Sequence, residues 1–220
     1  MAEVYGVKPE KFTKEWWPYF WMYYKWHTIA VIFVILLVFM TLYQCATAPK
    51  YDLSMTYSGS LMFSDEMTGE ITSDMAALID DIDGNGERAI NFQCFTITGV
   101  TGSEEYDSAM RTKLDLESYN ENSYIFLFDT ETMLRQFNND YYGEVYDTVD
   151  KWADEMPPED KLYMIDGVPY AVSLSGSEYL TSKGYKTDDM YAVLKSNYTG
   201  KELEGKAYEE SKKIMNKLIK

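Results

Sequence analysis

Residues 26–49 read WHTIAVIFVILLVFMTLYQCATAP, a run of 24 residues without any Asp, Glu, Lys or Arg. At about 1.5 Å per residue, the apolar centre of this run is long enough to cross a hydrocarbon layer of about 30 Å. Its Val, Ile, Leu and Phe residues would occupy every face of a helix, whereas a helix of a soluble protein normally keeps a polar face. The run therefore predicts a single transmembrane helix over 26–49.

Basic residues lie mainly on one side of this run. Four lysines precede it between positions 8 and 25, whereas Lys50 is the only basic residue after it until Arg88. Lys and Arg near the ends of a span favour the cytoplasmic side. We therefore expect a cytoplasmic aromatic leader over 1–25, a single-pass anchor in the cell membrane over 26–49, and an extracytoplasmic domain over 50–220.

A cleaved signal peptide is the alternative interpretation of the same run. Its apolar core is longer than a typical signal-peptide core, but Ala46 and Ala48 approach the small-x-small pattern of a cleavage site, so this alternative stays open. Cys45 does not predict a lipoprotein, because Gln44 stands where a small residue is needed. We interpret Cys45 as an apolar residue at the membrane exit.

The leader is unusually aromatic next to the span. Residues 12–26 read FTKEWWPYFWMYYKW and contain four of the five tryptophans of the chain. Amphipathic rings are typical of the headgroup level of a membrane, so the plain interpretation is an interfacial segment. A docking site for a cytoplasmic or membrane partner is the second interpretation. We expect a structural role for His27, the only histidine.

Charge and cysteine content exclude several kinds of function. The formal net charge is −16, and 1–49 contains four Lys against three Glu, so 50–220 carries all of the acidic excess. Nucleic-acid binding needs a basic stripe and is therefore not expected. Two cysteines, Cys45 and Cys94, make no disulfide framework. Without a histidine beyond position 27, Cys/His zinc sites are excluded in the domain.

The domain alternates predicted strands with predicted helices in its first half. Strands are expected at 51–59, 89–98 and 123–129, with helices at about 72–82 (capped by Ser73), 103–118 and 130–138. The nearly continuous apolar character of 89–98 predicts burial on both faces. Strands joined by helices in this rhythm indicate parallel crossovers and hence an α/β fold.

The second half adds antiparallel elements. Residues 161–165 and 168–174 flank Asp166-Gly167, a pair that favours the tight turn of a hairpin. A short helix is expected at about 145–153, another at 177–183, and a strand at 190–196. An amphipathic helix is predicted over 202–219. The expected architecture is a mixed sheet with flanking helices.

The segment IDGVPYAVSLSGSEYLTSKGY, residues 165–185, resembles the hairpin that precedes the first crossing between lobes in extracellular solute-binding proteins of ABC importers. The matching residues are Asp166, Gly167, Tyr170, Ala171 and Val172, and Ser173 stands where that family usually has Pro. The order of strands and helices over 51–129 is similar to the first lobe of the family. The resemblance implies one lobe of a type 2 periplasmic-binding-protein fold.

The chain after the anchor is shorter than a two-lobed receptor requires, so the resemblance implies a single lobe or a shortened relative. The anchored layout with its KEWWPYFWMYYKW leader also resembles uncharacterised surface proteins of Gram-positive bacteria. From these resemblances we expect a non-enzymatic accessory or sensory component, associated with a transporter or another membrane protein. The alternative is a receptor for a small polar solute.

An acidic loop is the candidate metal site. Residues 81–87 read DIDGNGE and match the opening of a calcium loop, in which alternate oxygens surround a hard cation. The candidate ligands of a structural calcium ion are Asp81, Asp83, Asn85 and Glu87. The twelfth position, normally a bidentate Glu, is Phe92. The alternative is an acidic turn whose Asn and Gly serve the backbone conformation.

Polar residues that follow the predicted strands are the candidate ligand-binding residues. In open α/β sheets, small ligands bind beyond the carboxyl ends of strands. The candidates at these positions are Ser58, Gly59, Ser60, Thr98, Asp129, Thr130, Ser173 and Ser175. The alternative is ordinary capping of the helices that follow, which uses the same residue types.

No catalytic signature is evident, and we expect no enzymatic activity. The run Ser173-Leu174-Ser175-Gly176-Ser177 approaches G-x-S-x-G but lacks the first glycine. No histidine outside the anchor is present to act as its base.

Overall fold

In a computed structural model of the protein, residues 9–100, 102–120, 122–138, 142–197 and 202–220 are described. The chain divides into two compact units, Met1–Pro49 and Lys50–Lys220. Of the predicted leader 1–25, residues 1–8 lie outside the described part.

The described part of the first unit contains one long helix, α1, at Trp16–Thr47. By length and composition it is able to cross a membrane. The helix begins ten residues before the predicted span and continues without interruption through the aromatic residues into the apolar run. Pro18 lies in the first turn of the helix. A backbone N–H there would have no acceptor within the helix, so the lack of an N–H in proline breaks no helical hydrogen bond.

The second unit contains a six-stranded mixed sheet in the order β2-β1-β3-β6-β5-β4. β1 pairs in parallel with both β2 and β3, whereas β3–β6, β6–β5 and β5–β4 are antiparallel pairs. The strands are β1 Leu53–Gly59, β2 Ile90–Thr96, β3 Ser123–Phe128, β4 Leu162–Ile165, β5 Val168–Ser173 and β6 Tyr191–Leu194.

Helices cover both faces of the sheet. They are α2 Asp65–Ala76, α3 Glu104–Glu117, α4 Thr130–Phe137, α5 Tyr142–Val145, α6 Glu178–Ser182 and α7 Glu202–Leu218, with 3₁₀ turns at Val149–Lys151 and Glu159–Lys161. α2, α6 and α7 contribute Met75, Leu180 and Ile214 to the core of one face. α3 and α4 contribute Leu114 and Met133 to the core of the other face. The α/β class with a mixed sheet is confirmed.

The hairpin predicted around Asp166-Gly167 is confirmed. β4 and β5 are joined by these two residues, with φ of 51° and 79° respectively. Positive φ at both central residues matches the twist of an antiparallel pair, and Asp-Gly adopts it at low cost.

The helix predicted at 72–82 is wrong in position. α2 begins after Ser64, whose hydroxyl accepts from the amide of Met67 at 3.3 Å, and it ends at Ala76. Ser73 therefore lies inside the helix and is not its cap. The capping serine and the acidic first turn outweigh the low helix propensity of Gly69 and the threonines, which hid the true start.

Two further expectations are also wrong. The helix predicted at 145–153 is only the 3₁₀ turn Val149–Lys151, because Tyr146 pairs instead with Lys195 in a β-bridge. The strand predicted at 89–98 ends at Thr96 and is half-buried along most of its length. β2 lies at the edge of the sheet, so burial on both faces is incomplete.

Candidate functional site

The sheet brings most of the candidate ligand-binding residues to one edge. Ser58 pairs with Phe128, Phe128 pairs with Tyr191, and Tyr191 pairs with Ser173, so these positions form one row across the sheet. β5 runs in the same direction as β1 and β3, because it is antiparallel to β6. We name the residues that follow this row, 58–60, 98–99, 129–130 and 173–175, the carboxyl-end edge.

Asp129 fills the point between β1 and β3 where the strand order reverses. Its carboxylate accepts from the amide of Ser60 at 2.8 Å and from the amide of Thr132 at 2.9 Å, and the side chain is buried. The second contact caps α4. The crevice in which open α/β sheets bind anionic groups is therefore occupied by a carboxylate of the chain itself.

Gly59 permits this close packing. A β-carbon at position 59 would lie 2.5 Å from the hydroxyl oxygen of Tyr57 and 2.7 Å from the carboxyl carbon of Asp129. The Tyr57 hydroxyl in turn accepts from the amide of Leu61 at 2.9 Å. Burial raises the pKa of Tyr57, so the hydroxyl stays neutral. Gly59 is thus a packing residue between two buried polar groups.

Two further candidate residues near the ends of β1 and β3, Thr130 and Ser58, are also paired. The amide and hydroxyl of Thr130 both donate to Asp189, the amide at 3.0 Å. Ser58 is fully buried, and its hydroxyl donates to the carbonyl of Phe95 at 3.3 Å. These contacts favour the capping interpretation of the candidate residues over direct contact with a solute.

Asp107 plays the same part after β2. Its carboxylate accepts from the amides of Thr98 at 3.0 Å and Gly99 at 2.9 Å, and from the hydroxyls of Thr98 and Ser103. The amide of Thr98, together with that of Gly99, holds the pKa of Asp107 below its usual range. The amides that could bind an anion at this strand end are therefore already bonded.

The Asp107→Asn variant should be less sensitive to acid than the natural protein. A lowered pKa in the folded state contributes stability above the unfolded pKa of about 4, and this contribution is lost as the pH falls through the folded pKa. The variant lacks that part of the pH dependence and should be less stable at neutral pH. Urea unfolding measured between pH 7 and acid would test this expectation.

Asp188→Asn is the matched control, because Asp188 is exposed. The control should follow the natural protein at every pH. Parallel acid profiles for Asp107→Asn and the natural protein would contradict the assignment of these bonds to the ionised carboxylate.

Ser173 and Ser175 are less completely enclosed than Ser58. Both are half-buried, and the Ser173 hydroxyl accepts from the amide of Ser175 at 3.3 Å. Ser177, two residues later, caps α6 and donates its hydroxyl proton to the carbonyl of Leu218 at 2.6 Å. This part of the carboxyl-end edge retains hydroxyls that a polar solute could contact.

The acidic loop 81–87 closes on itself. Asp81 accepts from the amides of Gly84 and Gly86, each at 2.7 Å, and Asn85 accepts from the amide of Glu87 at 2.7 Å. The hydrogen bond from the backbone amide of Gly86 is the main cause of the lowered pKa of Asp81. The loop therefore has the Asx-turn geometry expected of an acidic turn.

Asp52 joins this loop from the start of β1. Three carboxylate oxygens lie within 4.8 Å of one another, one each from Asp52, Asp81 and Asp83. Oxygen ligands suit a hard cation, but calcium prefers six to eight of them, and Phe92 at the twelfth position belongs to β2 and supplies none. The donor chemistry fits calcium, whereas the number of side-chain ligands falls short. Structural calcium stays a prediction.

A cleft of about 600 Å³ lies beside this loop, with Asp80, Asp81 and Ile82 on one wall and α7 on the other. Glu210 of α7 accepts from the amide of Asp80 at 3.0 Å and pairs with Lys213 at 2.6 Å. The remaining lining residues are Asn197, Gly205, Lys206 and Glu209. The bond from the Asp80 amide to Glu210 joins α7 to the loop that follows α2.

Three of the acidic residues that organise these sites were not predicted. Asp52, Asp107 and Asp189 accept from backbone amides between 8 and 59 residues away, and a single carboxylate leaves no periodic signal. The one pattern that could have indicated Asp52 is its position at the start of the predicted strand 51–59. The carboxyl-end edge was predicted because strand order determines it.

Comparison of the chain with protein-family models, with curated proteins and with solved structures finds no match. The site is therefore interpreted from its own geometry. That geometry is a carboxyl-end edge with amides bonded to carboxylates of the same chain, and an acidic loop at the amino ends of β1 and β2.

Proposed function

We propose that the protein is a membrane-anchored, non-enzymatic extracytoplasmic domain that works as an accessory or sensory component beside a transporter. In this proposal α1 is an uncleaved anchor, residues 1–25 face the cytoplasm, and 50–220 lie outside. One observation carries the proposal: four amides at the carboxyl-end edge, those of Ser60, Thr98, Gly99 and Thr130, are already bonded to Asp129, Asp107 and Asp189. Such an edge is built for structural stability rather than for capture of an anionic solute.

The relation to one lobe of the solute-binding proteins is part of the same proposal. The Asp166-Gly167 hairpin and the three parallel strands joined by helices support it. A single lobe has no second lobe to close over a ligand, so such a domain would contact another protein. Its acidic surface favours a partner with a basic extracytoplasmic face.

The chemistry of the domain also supports a non-enzymatic role. The only histidine of the chain, His27, lies in α1, so a Ser-His pair is not available to Ser173 or Ser175. Burial raises the pKa of the Cys94 thiol to about 11, which keeps this residue out of its nucleophilic form.

A receptor for a small polar solute is the second candidate function. The half-buried hydroxyls of Ser173 and Ser175 at the carboxyl-end edge favour it. A solute bound there would be neutral or cationic, because the neighbouring groups Asp129 and Asp189 are acidic.

Thermal unfolding of the full chain in detergent, with pools of sugars, amino acids and peptides, tests the two functions. A ligand at 100 times its dissociation constant adds about 2.7 kcal/mol to the free energy of unfolding. For a domain of this size that corresponds to a rise in Tm of about 5–10 °C. We expect no such rise with any pool.

A rise with one pool that disappears in the Ser173→Ala variant would replace the accessory role with the receptor. Native electrophoresis of gently solubilised membranes is the positive measurement. The accessory role predicts a complex larger than the purified chain, and a chain of unchanged size would contradict it.

A further inference from the structure

The aromatic rings at the start of α1 are spread over more than one face of the helix. At about 100° per residue, the eight rings between Trp16 and Trp26 cover more than half of the helix circumference. Trp16, Phe20 and Tyr24 form a ladder with centroid separations of 4.8 and 5.5 Å. Trp17 packs edge-on against Trp16 at a centroid separation of 5.1 Å, and Trp17 and Trp21 are each 56% exposed. One protein groove would cover one face, whereas a surrounding layer would cover all of these rings.

The length of α1 matches the whole thickness of a bilayer rather than its hydrocarbon part alone. Its 32 residues give about 48 Å. A bilayer measures about 40–45 Å with its headgroup layers, and transmembrane helices tilt by about 20° on average. At that tilt α1 spans about 45 Å. The aromatic segment therefore has room inside one headgroup layer, without projecting far into water.

The positions of the charges agree with this placement. Between Glu15, the residue before α1, and Lys25 there are nine residues without a charge, seven of them aromatic. Side chains in a helix lean toward its N-terminus, so Lys25 can extend its ammonium toward the same headgroup layer. Exposed Lys11 and Lys14 precede the helix and are attracted by anionic lipid. The acidic remainder of the chain offers no comparable attraction.

From ring distribution, helix length and lysine positions we infer that Trp16–Trp26 is a lipid-binding collar embedded in an anionic headgroup layer. The collar binds phospholipid headgroups around the helix and sets the depth and tilt of the anchor. This inference rests on the proposed membrane anchoring. It assigns the aromatic segment to lipid rather than to a protein partner.

Tryptophan fluorescence tests the collar directly. The full chain is reconstituted into vesicles of phosphatidylcholine and anionic phosphatidylglycerol, whose acyl chains carry bromine either near the headgroup or near the chain end. Four of the five tryptophans lie in the collar, and the fifth, Trp152, is 2% exposed in the core of the domain. We expect shallow bromines to quench at least about twice as strongly as deep ones. Acrylamide on both sides of the vesicle should quench weakly.

Two variants separate the fluorescence of the collar tryptophans from that of Trp152. Trp152→Phe leaves only the collar tryptophans, and the combined variant Trp16→Phe, Trp17→Phe, Trp21→Phe and Trp26→Phe leaves only Trp152. If Trp152→Phe does not fold, subtracting the signal of the second variant from that of the natural chain isolates the collar. The Trp152-only chain should respond to neither quencher.

The outcomes distinguish this inference from the membrane anchoring itself. A chain that does not float with the vesicles overturns the anchoring and the collar together. A chain that floats but shows strong acrylamide quenching and no bromine quenching overturns the collar alone. That second result would assign the segment to a protein partner in the cytoplasm.

Discussion

Replacing Asp52 by Ala is expected to lower the free energy of unfolding of the domain by about 3 kcal/mol. The Asp52 carboxylate is 4% exposed and accepts from the amides of Ile82, Asp83 and Ala89 at 2.8, 3.4 and 2.9 Å. Alanine leaves these amides without their acceptor and detaches the acidic loop from β1. In a domain of this size the Tm should fall by about 6–12 °C, measured by circular dichroism.

Asp83→Ala is the matched control, because Asp83 is exposed and its carboxylate accepts from Asn85 within the loop. It should cost less than about 1 kcal/mol. Equal losses for the two variants would contradict the role given to Asp52. The pair also tests calcium, since both residues belong to the group of three carboxylates. If calcium raises the Tm of the natural protein and of neither variant, the loop binds the ion.

Patterns that repeat along the chain predicted most of the fold. The charge-free run led to α1, strands alternating with helices led to the parallel pairs of β1, and Asp166-Gly167 led to the hairpin. Each of these depends on several neighbouring residues that agree. The start of α2 was missed because one serine decides it, against a segment of low helix propensity.

The candidate site likewise contains features that the sequence predicts and contacts that it does not. The carboxyl-end edge follows from strand order, so Ser58, Asp129 and Ser173 could be placed there from the sequence alone. Whether a polar group can contact a ligand depends on whether it already has a hydrogen-bond partner in the protein, and that partner is often far away in the sequence. Asp189 is 59 residues from Thr130, and no local pattern connects them. Contacts of this kind require the folded chain, and they favour the capping interpretation of the edge over ligand binding.

Replacing Gly59 by Ala is expected to cost about 3 kcal/mol, because overpacking and broken hydrogen bonds act together. The added carbon would lie 2.5 Å from the Tyr57 hydroxyl and 2.7 Å from the Asp129 carboxylate. Both of these side chains are buried, so neither moves without losing the amide of Leu61 or Ser60 as its donor. Urea unfolding should show a lower midpoint with an unchanged slope.

Gly69→Ala is the control for the loss of a glycine. Gly69 lies within α2, and apart from the adjoining residues and helix backbone no atom lies within 4 Å of the position its β-carbon would take, so alanine there should stabilise the domain by about 0.5–1 kcal/mol. Asp129→Ala in the Gly59→Ala background removes one of the two crowded groups. The double variant should therefore lose less stability than the two single changes added together. Strict additivity would show that the crowding at Gly59 does not involve Asp129, and the closed crevice between β1 and β3 would then need another explanation.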